Sequence, residues 1–219
     1  KNGLGYESKP IVESAFGRTT QLTNANGLMT SWQYDSFGRQ TLETRPDGTT
    51  TAVSLTACDA SCPAYAKYFA TSTSSGSAAV VSYYDMFGRA VQGKTTGFDG
   101  SALKTDTNYD NRGRVASSTR PYLAGQTKQT SQFSYDALDR TTQTVEPSGA
   151  KSTVAYQGLT TVLTNALNQT KTEYRNGLGQ LLKLEQPIGA AKTVLAYSYD
   201  WFGNLLQTTE AKNNKVTLS

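Results

Sequence analysis

The sequence predicts an all-β fold built from tandem antiparallel β-hairpins, and three observations support that prediction. A six-residue motif, Tyr-Asp-x-x-Gly-Arg, recurs along the chain. Hydrophobic residues make up 37% of the 219 residues and charged residues 17%, while the 13 Tyr, 7 Phe and 2 Trp argue against disorder. No stretch shows convincing helical periodicity, and the short run at residues 64–70 is the sole helical candidate.

The motif spacing defines the repeat unit. Four copies keep Tyr, Asp and Arg in place, at residues 34–39, 84–89, 109–114 and 135–140. The copy at 174–180 carries one extra residue, the copy at 199–204 lacks the Arg, and residues 15–18 keep only the Phe-Gly-Arg half. The motif tyrosines are separated by 50, 25, 26, 39 and 25 residues, which predicts a period of about 25 with degenerate copies inside the wide gaps.

The motif residues are predicted to have a structural role in every repeat. They are Tyr34, Asp35, Gly38, Arg39, Tyr84, Asp85, Gly88, Arg89, Tyr109, Asp110, Gly113, Arg114, Tyr135, Asp136, Arg140, Tyr174, Gly179, Tyr199, Asp200 and Gly203. Asp can bond its own backbone two residues on, and Gly takes positive φ without steric cost, so the Asp-x-x-Gly part predicts a tight turn. Asn-Gly and Pro-Asp-Gly segments, such as Pro46-Asp47-Gly48, predict a second turn in each unit.

Tyr and Arg at fixed offsets from a turn have two interpretations. One is a repeated ligand site, for instance for sugar. The other is a packing contact between repeats, in which Arg stacks on an aromatic ring or pairs with Asp. The packing interpretation is favoured because a single repeat unit cannot bury its apolar face alone.

The repeated motif closely resembles the YD repeat of the bacterial Rhs proteins, of toxin-complex proteins and of teneurins. The resemblance covers nearly the whole chain and implies hairpins that spiral into part of a large hollow shell or barrel. In that family the shell encloses a C-terminal toxin or presents an adhesive surface. The chain contains no Asp-Pro-x-Gly motif of the kind linked to self-cleavage in Rhs proteins.

Residues 1–219 are expected to form a single repeat array that is a fragment of a longer one. Asn2-Gly3-Leu4-Gly5 matches Asn176-Gly177-Leu178-Gly179, so the array is expected to start inside a motif. At the other end, Thr209-Glu210-Ala211 resembles the Thr-Asn-Ala segments that precede other motifs, which predicts the next Tyr at about position 219 or 220.

Composition argues against several classes of function. The chain has no histidine, which removes Ser-His-Asp and Cys-His catalysis and the commonest transition-metal ligand. The net charge is +4 with scattered Lys and Arg, so no nucleic-acid partner is expected. No apolar run approaches the roughly 18 residues that a membrane span needs. The motif carboxylates are spaced along the array and do not converge as a glycosidase pair would. We therefore expect no enzyme activity and no cofactor.

Cys58 and Cys62 are the two cysteines of the chain. A disulfide suits a secreted β protein, although a spacing of four residues requires a bent backbone. Free thiols and a metal site stay open as alternatives, the metal site needing two further ligands.

These observations leave two functions. The first is a structural shell segment of a large secreted or cell-surface protein, whose partners are the rest of the parent polypeptide and an enclosed C-terminal toxin. The second is an extracellular module that binds a glycan or a cell-surface protein through exposed aromatic residues, or that associates with itself into fibres through open strand edges.

Overall fold

Every regular element in the described part of the chain is a β-strand. The computed structural model describes residues 7–189, 191–210 and 215–217. The all-β prediction is therefore confirmed. The partial motif predicted at residues 2–5 and the repeat end predicted at residue 219 lie outside the described residues.

The chain divides into two compact units, unit 1 at residues 1–108 with 119–129 and unit 2 at residues 109–118 with 130–219. Unit 1 is built from β1 (Lys9–Val12), β2 (Thr19–Thr23), β3 (Met29–Tyr34), β4 (Gln40–Thr44), β5 (Thr50–Ala57), β6 (Tyr68–Ser74), β7 (Val80–Tyr84), β8 (Ala90–Thr96), β9 (Ala102–Tyr109) and β11 (Tyr122–Leu123). Each strand from β1 to β9 pairs antiparallel with the next, and β11 pairs antiparallel with β9.

Unit 2 repeats the same plan. It is built from β10 (Val115–Thr119), β12 (Thr130–Tyr135), β13 (Thr141–Val145), β14 (Lys151–Gln157), β15 (Thr160–Thr164), β16 (Thr170–Arg175), β17 (Leu181–Ile188), β18 (Ala191–Tyr199), β19 (Leu205–Glu210) and β20 (Lys215–Thr217). The strands from β12 to β20 pair antiparallel in chain order.

Because consecutive strands alternate in direction, every second turn lies at the same end of the strands in a unit's sheet. Within each unit, the Tyr-Asp-x-x-Gly-Arg turns therefore lie at one end of the strands and the second turns lie at the other end. The predicted order of strand, tight turn, strand and second turn is confirmed.

A β-bulge accompanies the motif turn. In the β3–β4 hairpin Gln33 lies opposite Leu42 while Tyr34 lies opposite Gln40, so β4 carries one extra residue next to the turn. The same irregularity occurs beside Tyr84, Tyr135 and Tyr199.

Most strand residues are half-buried, as a pleated sheet with little covering predicts. Among the described residues, Tyr122 is the buried hydrophobic side chain and Asp85 is the buried charged one. The described residues contain no helix that could span a membrane. The helical candidate at residues 64–70 is wrong, because residues 64–67 lie in a loop and Tyr68 begins β6.

Candidate functional site

The motif turn is closed by two backbone hydrogen bonds. In the first complete copy, the N–H of Asp35 donates to the carbonyl of Arg39 at 2.9 Å and the N–H of Gly38 donates to the carbonyl of Asp35 at 2.8 Å. Gly38 has a φ of 74°, a left-handed conformation that glycine adopts without steric cost. This is a three-residue hairpin loop with a glycine bulge, whose twist matches that of the flanking strands.

The motif carboxylate satisfies the N–H groups that the turn leaves open. Asp35 Oδ1 accepts hydrogen bonds from the backbone N–H groups of Phe37 and Arg39, each at 2.9 Å. Its Oδ2 accepts one from Arg39 Nε at 2.7 Å. The same three bonds recur at Asp85, Asp110 and Asp136. Each of these carboxylates is therefore already used in holding its own turn.

The looser copies keep this geometry with amides. Asn176 Oδ1 accepts the N–H groups of Leu178 and Gln180, each at 3.0 Å, and Asn176 Nδ2 donates to Gln180 Oε1 at 2.6 Å. In the last copy Asn204 replaces Arg and donates from Nδ2 to Asp200 Oδ2 at 2.8 Å. That side-chain bond is the largest cause of the lowered pKa of Asp200.

The motif aspartates have pKa values below the ordinary value of 3.8. For Asp35 the largest cause is the hydrogen bond from the backbone N–H of Arg39. For Asp85, Asp110 and Asp136 burial is the largest influence and raises the pKa, but the hydrogen bonds from the motif arginine outweigh it.

These shifts predict acid sensitivity. A carboxylate with a lowered pKa in the folded state stabilises the fold above pH 3.8, and that contribution is lost as the pH falls below 3.8. We expect the urea midpoint to fall between about pH 6 and about pH 3. In the double variant Asp136→Asn/Arg140→Gln, which copies the amide pair of Asn176 and Gln180, the fall should be smaller. An equal fall in both proteins would contradict the role assigned to the carboxylates.

In three copies the motif tyrosine reaches back to the preceding repeat. Its hydroxyl donates to the carbonyl of the residue that follows the previous motif turn. The pairs are Tyr34 with Thr19 at 2.9 Å, Tyr135 with Val115 at 2.8 Å and Tyr199 with Leu181 at 3.0 Å. Tyr156 makes the same bond to Thr141 at 3.2 Å, which identifies a copy in the wide gap between Tyr135 and Tyr174.

In three copies the arginine that ends one motif packs on the tyrosine ring of the next repeat. The guanidinium carbon lies 5.3 Å from the ring centroid for Arg18 over Tyr34, 4.7 Å for Arg114 over Tyr135 and 4.0 Å for Arg140 over Tyr156. These distances lie within the range of cation–π attraction. Arg114 and Arg140 thus pair with the Asp of their own turn and stack on the next hairpin.

The last motif residue also reaches the glycine position of the next motif turn. A Cβ at Gly38 would fall on the Arg18 guanidinium, and Gln180 Nε2 lies 3.4 Å from the carbonyl oxygen of Gly203. Asp139 replaces the glycine in one turn and keeps a positive φ of 62°. Its carboxylate lies 2.7 Å from Arg114 Nη1. Asp139 thus joins its own turn to the preceding motif turn through an ion pair with Arg114.

The remaining predicted residues occupy more varied surroundings. Gly88, Gly113, Gly179 and Gly203 have positive φ, as Gly38 does. Tyr109 ends β9, and Arg89 pairs with Asp85. The ring of Tyr84 stacks on Tyr68 at a centroid distance of 5.0 Å.

The copy at 174–180 differs from the other copies in its register. Arg175, not Tyr174, directly precedes the turn residue Asn176 and lies at the bulge. Tyr174 is one residue earlier and donates instead to Glu185 Oε2 at 3.2 Å, with Lys183 Nζ 4.0 Å from its ring centroid. The extra residue in the sequence therefore moves this tyrosine to the other face of the strand.

Cys58 and Cys62 form a disulfide with a Cα–Cα distance of 5.7 Å. The N–H of Cys58 donates to the carbonyl of Lys67 at 2.9 Å, as Asp35 does to Arg39 in a regular motif turn. The loop is thus an enlarged motif turn in the 50-residue gap, and Asp59 Oδ1 accepts the N–H of Ser61 at 2.9 Å inside it.

Loss of this disulfide is expected to have a moderate effect, because it closes a very short loop. We expect Cys58→Ser/Cys62→Ser to lower the free energy of unfolding by at most about 2 kcal/mol in urea titrations. Reductant should have the same effect on the native chain and none on the variant. An unchanged midpoint in both would mean that the hydrogen bonds of the loop hold it without the disulfide.

One polar cluster was not predicted from the sequence. Asp106 accepts hydrogen bonds from Tyr122 Oη at 2.8 Å, Lys128 Nζ at 2.5 Å and Gln92 Nε2 at 2.7 Å. Burial raises the pKa of Asp106, but these hydrogen bonds outweigh it and the pKa is lowered. The same burial, reinforced by Asp106, raises the pKa of Tyr122. The cluster fastens the loop that carries β11 onto unit 1.

Neither the turns nor this cluster forms a metal site. Within residues 7–189, 191–210 and 215–217, no three His, Cys, Asp or Glu side chains are grouped so that they could hold a metal ion. Several motif residues connect one hairpin to the next in the same way, and this defines a tandem hairpin-repeat protein.

Comparison with known proteins finds a repeat family for one stretch of the chain and a similar fold for most of it. The family model for the RHS repeat matches residues 14–50. The complex TcdB2-TccC3-Cdc42 has a similar fold, with a TM-score of 0.69 and 11% identity over 93% of this chain and 17% of that one. The Photorhabdus luminescens Tc holotoxin pore gives a TM-score of 0.67 and 12% identity over 93% and 16%. The chain thus spans less than a fifth of those chains. No curated protein is significantly similar in sequence.

The chain therefore contains a match to the RHS repeat at residues 14–50, within a fold that is shared with these two toxin-complex structures.

Proposed function

We propose that the chain is a structural β-shell segment of a larger RHS/YD-repeat protein that encloses or carries an effector, and that it has no catalysis of its own. The observation that carries this proposal is the use of the motif side chains inside the fold. The carboxylate of Asp136 holds its turn, Arg140 pairs with it, and the same arginine packs on Tyr156 of the next hairpin.

Two further features support a wall rather than a catalytic centre. The motif carboxylates belong to separate turns, each with its own donors, whereas general acid–base chemistry needs groups that converge on one substrate. The contacts of one repeat recur at the next, so further repeats can be added through the same contacts. We propose that residues 1–219 form one such array.

The test is protease protection in the full parent protein. If this segment belongs to a closed wall, an enclosed effector should resist protease until the wall is opened by denaturant. Fast cleavage of the effector in the folded parent protein, at the rate of the isolated effector, would contradict enclosure.

An extracellular or cell-surface location is part of the proposal, and the Cys58–Cys62 disulfide favours it because disulfides persist in oxidising compartments.

The second candidate is an adhesive module for a glycan or a cell-surface protein. It is favoured by one observation, the exposed ring of Trp201, whose centroid lies 4.0 Å from that of Phe202. Exposed aromatic faces of this kind suit sugar rings or protein partners. Specific binding on a glycan array that is lost in Trp201→Ala, and kept in the matched control Phe98→Ala, would favour this candidate over the shell.

A further inference from the structure

Large apolar side chains occupy the tips of the motif turns. In unit 2 these tips carry Leu138, Leu159, Leu178, Trp201 and Phe202, which are between 58% and 87% exposed. We call this set the apolar ridge. Because these side chains face solvent, they contribute little to the stability of their own hairpins.

The ridge follows the ends of the strands on one side of the unit 2 sheet. Its turns join β12 to β13, β14 to β15, β16 to β17 and β18 to β19, and the strands pair in that order. Successive tips are separated by two strand spacings, or about 10 Å. At the opposite ends of these strands, the exposed large apolar side chains are Leu167 in the turn at 165–169 and Ile188 at the end of β17.

The charges beside the ridge are largely neutralised. Arg140 pairs with Asp136, and Arg114 lies between Asp110 and Asp139. The turn at 176–180 uses a neutral pair of amides. Asp200, next to Trp201, is bonded to the neutral amide of Asn204. The ridge therefore attracts neither an anionic lipid surface nor an acidic partner strongly.

A second copy of this chain matches the ridge in period as well as in charge. Tips about 10 Å apart leave a gap for one large side chain, and an identical ridge supplies side chains at the same interval. At roughly 150–250 Å² for each of the two aromatic side chains and roughly 60–120 Å² for each of the three leucines, the ridge offers at most about 500–850 Å². The upper end of this range reaches the roughly 800 Å² per partner of a standard interface. Exposed apolar patches of this size mark interaction sites.

We propose that the apolar ridge of unit 2 is a self-association surface, which pairs with the ridge of a second copy so that the tips of one lie between the tips of the other. The pairing is independent of whether the parent protein encloses an effector. It uses turn tips, not strand edges, so it produces pairs and does not by itself require fibres.

Sedimentation velocity of the full chain over a wide concentration range tests this. We expect a reversible dimer. The triple variant Leu178→Ser/Trp201→Ser/Phe202→Ser should raise its Kd at least tenfold. The control Leu167→Ser, an exposed turn residue at the opposite ends of the strands, should change the Kd less than twofold. Circular dichroism should be unchanged in both, since all four side chains are exposed. A chain that stays monomeric at the highest concentration, or an equal effect of Leu167→Ser, would overturn the proposal.

A crosslinking experiment gives an answer that does not depend on the triple variant folding. With a short bis-maleimide, Leu178→Cys should crosslink two copies and Leu167→Cys should not. Equal crosslinking of both variants, or of neither, would contradict ridge pairing. Binding of the native chain to neutral lipid vesicles, lost in Trp201→Ser while dimerisation is unaffected, would assign the ridge to membranes and overturn self-association.

Discussion

Replacing Gly38 with alanine is expected to lower the free energy of unfolding by about 2–3 kcal/mol. Two effects combine at this position. A left-handed residue with a Cβ is strained by about 1–2 kcal/mol. The Cβ would also displace the Arg18 guanidinium, which lies 5.3 Å from the centroid of the Tyr34 ring and 4.6 Å from that of Phe16. Urea titration followed by circular dichroism measures the loss.

Gly48 provides the matched control. It has a φ of 80°, but a Cβ added at that glycine would meet no atom within 4 Å. Gly48→Ala should therefore lose only the strain of about 1–2 kcal/mol. In the background Arg18→Ala, the loss at Gly38 should fall to that of Gly48. Equal losses at the two glycines in the native background would contradict the contact between successive turns.

The second large effect is expected at Tyr122. Its side chain is 8% exposed and its hydroxyl donates to Asp106, so Tyr122→Ala should cost about 3–5 kcal/mol in the free energy of unfolding. Tyr122→Phe should cost about 1 kcal/mol, because Asp106 keeps its bonds to Lys128 and Gln92.

The exposed Tyr65 is the control for this substitution. It is 82% exposed, and Tyr65→Ala should stay within about 0.5 kcal/mol of the native chain. The same urea titrations measure all three variants. If Tyr122→Ala were as mild as Tyr65→Ala, the loop that carries β11 would not be fastened by this side chain.

The turns could be predicted because their physics is local. Asp35, Gly38 and Arg39 lie within five residues of one another, and the hydrogen bonds of the turn join only these residues and their immediate neighbours. A sequence pattern of that length contains both the carboxylate and the residue with positive φ. The hairpin order follows directly, since alternating strands join such turns.

The contacts between repeats could be predicted only in kind. Tyr156 makes the bond of a motif tyrosine, but no Asp follows it and its partner Thr141 lies 15 residues away. The sequence signal for this degenerate copy is Tyr156-Gln157-Gly158, which lies inside the wide gap and follows a motif that ends in Arg140. Such a contact depends on the register of two hairpins, which the local pattern does not contain.

The cluster around Asp106 was missed for a related reason. Tyr122 and Lys128 belong to an enlarged loop that the hydrogen bond from the N–H of Arg120 to the carbonyl of Gln129 closes. Neither residue is part of a recognisable motif. Their meeting depends on the pairing of Tyr122 with Lys104 of β9, a contact that only the folded chain reveals.

The most direct test of the account is a double-mutant cycle on Arg140 and Tyr156. Their contact at 4.0 Å joins one motif turn to the next hairpin. With Arg140→Ala, Tyr156→Leu and the double variant, urea titrations should give a coupling energy of about 0.5–2 kcal/mol. Tyr156→Phe keeps the ring and separates its contribution from that of the hydroxyl. Effects that add to within about 0.3 kcal/mol would contradict the claim that the motif arginine and tyrosine hold successive repeats together.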